Sequence, residues 1–184
     1  MKKLSYVFLL SLLFLLLAGC SKEDVQLEPL KTNDDVLLEK AKPDRFVPFK
    51  ATLEVYIDEV LPSPPPPKIQ EVLGTGNATH LGKTDLYMKQ TWYPIPNTMP
   101  REGKGTGELI FIAANGDKLL ASYKDAKSIH FSPTYVTVIF TGIFKDGGTG
   151  KFAHAEGTFI WDGEFNPATN IGTSIVTGEI MYKK

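Results

Sequence analysis

From Phe46 onward, apolar and polar positions alternate with a period of two. Phe49, Ala51, Leu53, Val55 and Ile57 interleave with Lys50, Thr52, Glu54, Tyr56 and Asp58, the pattern of a strand with one buried face. The same texture predicts a second strand from Ile69 past Val72 and Leu73. A third, over residues 85–93, places Leu86, Met88, Gln90 and Trp92 on one face. Strands over 107–114 and 118–126 flank Asn115-Gly116-Asp117, a hairpin signal because Asn and Gly both tolerate positive φ. Strands over 135–144, 155–161 and 172–182 complete the set. No stretch after residue 46 carries a helical period, so about eight short strands with glycine-rich turns predict an all-β sandwich or barrel. Residues 62–67, all proline except Ser63, cannot be strand interior because proline lacks the N–H donor. They predict an extended, stiff connection between the first two strands.

The first 45 residues read differently. Lys2 and Lys3 precede an uncharged, mostly Leu, Phe and Val run over 4–19, and small residues follow it, which are the parts of a secretory signal peptide. The run is roughly 16 residues, short of the ~20 a spanning helix needs. It ends in Leu17-Ala18-Gly19-Cys20, which resembles the lipobox of bacterial lipoproteins. That resemblance implies cleavage before Cys20, acylation of its thiol and new amine, and a lipid bilayer as partner. Several acyl chains hold where one is marginal, at about 0.8 kcal/mol per buried methylene. Ser21-Lys22-Glu23-Asp24 resembles the export signal of Bacteroidetes surface lipoproteins, which implies an outer-membrane protein displayed at the cell surface. Residues 20–45, charged and broken by Pro29 and Pro43, read as the lipidated cysteine and a flexible tether. As a coil, ~25 residues span roughly 25–30 Å. The expected organisation is thus a cleaved leader over 1–19, a tether over 20–45 and a folded domain over 46–184.

Composition narrows the function classes. With 20 basic against 21 acidic residues, a net charge of −1 and 42% hydrophobic residues, there is no electrostatic case for nucleic acid, and the chain is too apolar for disorder. The single cysteine excludes an intrachain disulfide and any multi-cysteine metal site.

The most specific internal feature is Gly147-Gly148-Thr149-Gly150-Lys151-Phe152-Ala153-His154-Ala155-Glu156-Gly157. It resembles the G-G-[TS]-G-x-F-x-x-A-x-G loop of allene oxide cyclases and dirigent proteins. The resemblance implies a single antiparallel eight-stranded barrel over residues 46–184, with Gly148, Gly150, Phe152 and Gly157 as its structural loop. The glycines allow positive φ in a tight link between strands, and Phe152 can then turn inward to plug one end. Plant enzymes of that superfamily bind a hydrophobic substrate inside the barrel, but none of their substrate-contacting residues aligns here, and shared fold is not shared chemistry.

Reaction chemistry is scarce. Gly148-Thr149-Gly150-Lys151 is no phosphate loop, because Lys145 stands where its first glycine belongs and Phe152 where Ser or Thr does. Gly103-x-Gly105 and Gly74-x-Gly76 lack a strand–turn–helix setting and read as turns. The three histidines, His80, His130 and His154, have no helical metal spacing, so a metal would need all three brought together by the fold. There is no Gly-x-Ser-x-Gly elbow. No catalytic residue, cofactor or metal is expected. Gly74-Thr75-Gly76-x-x-x-His80 and Gly148-Thr149-Gly150-x-x-x-His154 repeat one pattern, either two similar turns or two imidazoles at one barrel mouth. An eight-stranded barrel has room for side chains or one small ligand. Three functions follow: a binder of a small, largely hydrophobic ligand, a solid interaction module, or a shape-directed isomerase or cyclase. For the first, Trp92, Phe140 and Trp161 are the expected walls, with Gln90, His80 and His154 as polar contacts.

Overall fold

The computed structural model describes residues 45–61 and 67–182. The expected leader, Cys20, the expected tether and most of the proline-rich connection lie outside the described residues. Eight antiparallel strands form a closed barrel in simple sequence order. They are β1 (Val47–Leu61), β2 (Lys68–Ala78), β3 (Gly82–Ile95), β4 (Arg101–Ile112), β5 (Lys118–Ser132), β6 (Tyr135–Lys145), β7 (Glu156–Asn166) and β8 (Ile171–Met181). Closure comes from β8 pairing with β1, from Val47 opposite Ile180 to Tyr56 opposite Ile171. No edge strand is left to recruit another chain. Every strand and its pairing partners fall within 47–181, so the barrel is complete without the segment that precedes it.

Period two decides which side chains fill the interior. Phe49, Ala51, Leu53 and Val55 of β1 point inward, as do Leu86 and Met88 of β3 and Phe140 and Phe144 of β6. Lys50, Glu54, Asp85 and Lys89 remain exposed. On β6, β7 and β8 the outward positions also include exposed isoleucines, Ile139, Ile143, Ile160 and Ile175.

The parity changes within β5. Leu119, Ala121 and Tyr123 are buried, then Ala126 and Ser128, so inward positions pass from odd to even. Tyr123 and Ala126 face Gly107 and Gly105 of β4, three residues against two. Between Tyr123 and Lys127 the strand also carries one residue more than β6. Asp125, at φ 56°, absorbs the extra residue as a bulge. The sequence pattern dissolves at this point, so β5 runs six residues beyond its predicted end at 126.

The two ends differ. At one end lie the start of β1, the β2–β3, β4–β5 and β6–β7 connections, and the end of β8. Here the interior is solid: Phe49, Phe111, Phe144 and Phe159 cluster with centroids 4.9–6.4 Å apart, edge-to-face except for the tilted Phe144–Phe159 pair. Residues 146–155 link β6 to β7 through a short 3-10 turn, Gly150–Phe152, which places Phe152 in the core with no exposed surface. Gly150, at φ 55°, leaves no room for a Cβ against the Asp117 carboxylate. Lys151 straps this plug down, donating from Nζ to the His80 carbonyl at 2.7 Å while lying over the rings of Phe152 and Tyr182.

The β4–β5 hairpin forms where Asn115-Gly116 predicts it, with a different turn. Only Gly116 is left-handed. Gly116 N donates to the Ala113 carbonyl and Ala113 N to the Asp117 carbonyl, each at 2.8 Å, giving the longer loop with one left-handed glycine. Asn115 instead uses its side chain, accepting from Asp117 N at Oδ1.

Candidate functional site

Above the phenylalanine cluster the barrel is not filled. A cavity of about 530 Å³ opens at the other end, among the ends of β1, β3, β5 and β7 and the starts of β2, β4, β6 and β8. Such a volume is in the range of small-molecule sites. Its floor is an aromatic stack. Phe140 lies 3.8 Å from the Tyr123 ring and 5.3 Å from the Trp161 ring, with interplanar angles of 20° and 12°. Val55, Val72 and Met88 continue the apolar wall, and Trp92 lies nearer the mouth.

Glycines shape this space. Gly103, Gly105 and Gly107 alternate along β4 and face inward. A Cβ on Gly105 would press on the Trp92 indole, and one on Gly107 on the Tyr123 phenol. Gly103 and Gly105, read from sequence as a turn, are strand positions whose missing side chains let neighbouring rings lie flat. Gly74 and Gly76 likewise belong to β2, where Gly74 makes room for Val55 and Leu86. A turn reading fails because a period-two run of glycines and a loop look alike when the packing partners are unknown.

A polar ladder crosses one wall. Tyr123 donates its hydroxyl to Gln90 Oε1 at 2.8 Å, and Gln90 Nε2 donates to Gln70 Oε1 at 3.2 Å. Gln70 and Gln90 are cross-strand neighbours on β2 and β3. Burial pushes the Tyr123 pKa far above the usual phenol range, so the group stays protonated and acts as a donor. Among the described residues nothing accepts from Gln70 Nε2, and no side-chain polar atom is both buried and unpaired. The Gln70 amide therefore presents its N–H groups to the cavity. Ser128, Ser174 and Trp161 Nε1 do the same without protein partners. Gly163 is what keeps two of these open: a Cβ there would come within 2.8 Å of both Ser174 Oγ and Trp161 Nε1.

Four of the six residues expected to contact a ligand line this cavity together: Gln90, Trp92, Phe140 and Trp161. The other two do not. His80 sits at the plugged end at φ 68°, bonded through Nε2 to the Pro48 carbonyl at 3.0 Å and tilted against Tyr182. His154 is exposed and bonds Asp146 at 2.8 Å. The repeated Gly-Thr-Gly-x-x-x-His pattern therefore puts no imidazole at the mouth. The shared spacing covers different structures, a strand leading into a tight turn in one case and a 3-10 turn in the other. His130 alone among the histidines lines the cavity, at the opposite end from His80, so the fold does not assemble a three-histidine site. Among the described residues no cluster of three His, Cys, Asp or Glu could hold a metal. Gln70, Ser128, Ser174 and Tyr123 escape sequence reading, although the glycine alternation on β4 marks the face they share.

Comparison of the chain with family models, with curated proteins and with solved structures finds no match.

Proposed function

We propose that the protein is a membrane-anchored lipoprotein, held through acylated Cys20 at the outer membrane and exposed at the cell surface, whose barrel binds a small, largely hydrophobic ligand. The observation that carries the binding reading is the cavity of about 530 Å³ with its stacked Phe140–Trp161 floor. Apolar walls supply affinity, while the Gln70 amide, Ser128 and Ser174 supply orientation. A solid interaction module would have no use for the glycines that hold this space open. The anchoring part of the reading is supported by Leu17-Ala18-Gly19-Cys20. The closed eight-strand order and the inward Phe152 support kinship with allene oxide cyclase-like and dirigent-like barrels at the level of architecture.

The test is native mass spectrometry of the chain from Ser21 onward, purified without detergent, followed by organic extraction. A bound species released by solvent is the expected result. A protein that carries none, and that binds no apolar probe in titration, would sink the reading.

A further inference from the structure

The rim of the cavity carries charge that an apolar wall does not need. Lys68, Arg101 and His130 all line the open end, and Arg101 faces His130 across the β4–β5 pair. Partial burial first, then the nearby Arg101 and Lys68 charges, lower the His130 pKa below the usual imidazole value. None of the three basic groups has an ion-pair partner among the described residues. Two carboxylates line the same opening without pairing with these groups: Glu102 pairs with Lys127 at 3.3 Å, and Glu164 accepts from the Tyr135 hydroxyl at 3.1 Å. Basic groups gathered with no carboxylate in ion-pair contact repel one another, and an anion placed among them offsets that repulsion. Arginine's planar fork matches a carboxylate or phosphate in particular.

Resting on the ligand-binding reading above, we infer that the site takes an amphipathic molecule with one anionic head, a carboxylate or a phosphate. The head lies at the rim against Lys68 and Arg101, with the His130 imidazole beside it. The apolar body runs inward past Trp92 to the face of Trp161 and Phe140. The chemistry fits one orientation only, since the deep wall offers neutral hydrogen-bond donors but no charge.

Both tryptophans of the chain line the cavity, so intrinsic fluorescence reports occupancy directly. The experiment titrates the chain from Ser21 onward with dodecanoate, dodecyl phosphate, dodecanol and dodecylamine. The tighter of the two anions identifies the head, and it should bind roughly tenfold tighter than dodecanol, with dodecylamine weakest. Lys68 and Arg101 are exposed and unpaired, so the double variant Lys68→Gln, Arg101→Gln keeps its fold. It should bring the anion down to the dodecanol affinity while leaving dodecanol unchanged. Dodecanol binding as tightly as both anions, or a double variant with undiminished anion binding, would overturn the anionic head while the cavity reading stands. Saturable binding of none of the four probes would overturn the cavity reading itself, and the head assignment with it.

Discussion

Gly105 lies directly beneath the indole of Trp92. The two are cross-strand partners on β4 and β3, and a Cβ on Gly105 would come within 2.8–2.9 Å of three ring atoms. The strand gives up a side chain so that a large ring can lie against its backbone at the side of the cavity. Gly105→Ala should therefore displace the indole, shift the tryptophan emission and cost about 1–3 kcal/mol by overpacking. Urea unfolding followed by fluorescence measures both. An unchanged emission spectrum would show that Trp92 does not rest on Gly105.

Tyr123→Phe removes the hydroxyl that donates to Gln90 Oε1 and keeps the ring that stacks on Phe140. A buried acceptor loses its donor, so the expected loss is about 1–3 kcal/mol, read as a lower urea midpoint at constant slope. A midpoint equal to that of the parent protein would mean that the ladder has no energetic weight.

Phe152→Ala opens the plugged end. Deleting a fully buried phenylalanine costs about 3–5 kcal/mol, and Lys151 loses one of the two rings beneath it. Phe152→Leu should retain more than half of that stability. Equal losses in the two variants would point to ring-specific contact rather than filled volume.

His130 makes stability depend on pH with a definite sign. Burial first, then Arg101 and Lys68, lower its pKa in the fold below the ordinary value of 6.5. The unfolded chain then takes up a proton more readily than the folded one, so stability is fully present above about pH 6.5 and falls as pH drops toward the folded value. Because the ring is largely exposed, the effect is small. Unfolding of the parent and of His130→Gln at pH 7.5 and 5.0 isolates it: the parent should lose more stability on acidification than the variant. The reverse order would place a negative charge nearest the ring.

Cys20→Ala should abolish metabolic labelling with fatty acid and release the protein from the membrane fraction. Retained label in that variant would remove the lipid anchor from the proposal.

Alternation sufficed for strands such as β1 because the interior is apolar and the outward positions there are polar, as Phe49–Lys50–Ala51 displays. It failed where geometry departs from two residues per repeat. Asp125 inserts a step in β5, and the glycines at 103 and 105 give no hydropathy signal at all. Gln90, Trp92, Phe140 and Trp161 were legible as cavity residues because each sits on the inward phase of a predicted strand. His80 and His154 were misleading for a local reason, since a Gly-Thr-Gly spacing does not say which end of the barrel a turn occupies. Lys68, Arg101 and His130 stand far apart in sequence and meet only when the strands register, so no linear pattern could have joined them.

Among the described residues, the barrel is filled at the Phe152 end and open at the other. Whatever enters must leave by reversing its path. On the binding reading, such a vessel would store a molecule or hand it over rather than conduct one from side to side. The lifetime of a bound molecule would then be a property of Lys68, Trp92, Arg101 and their neighbours rather than of the phenylalanine cluster below.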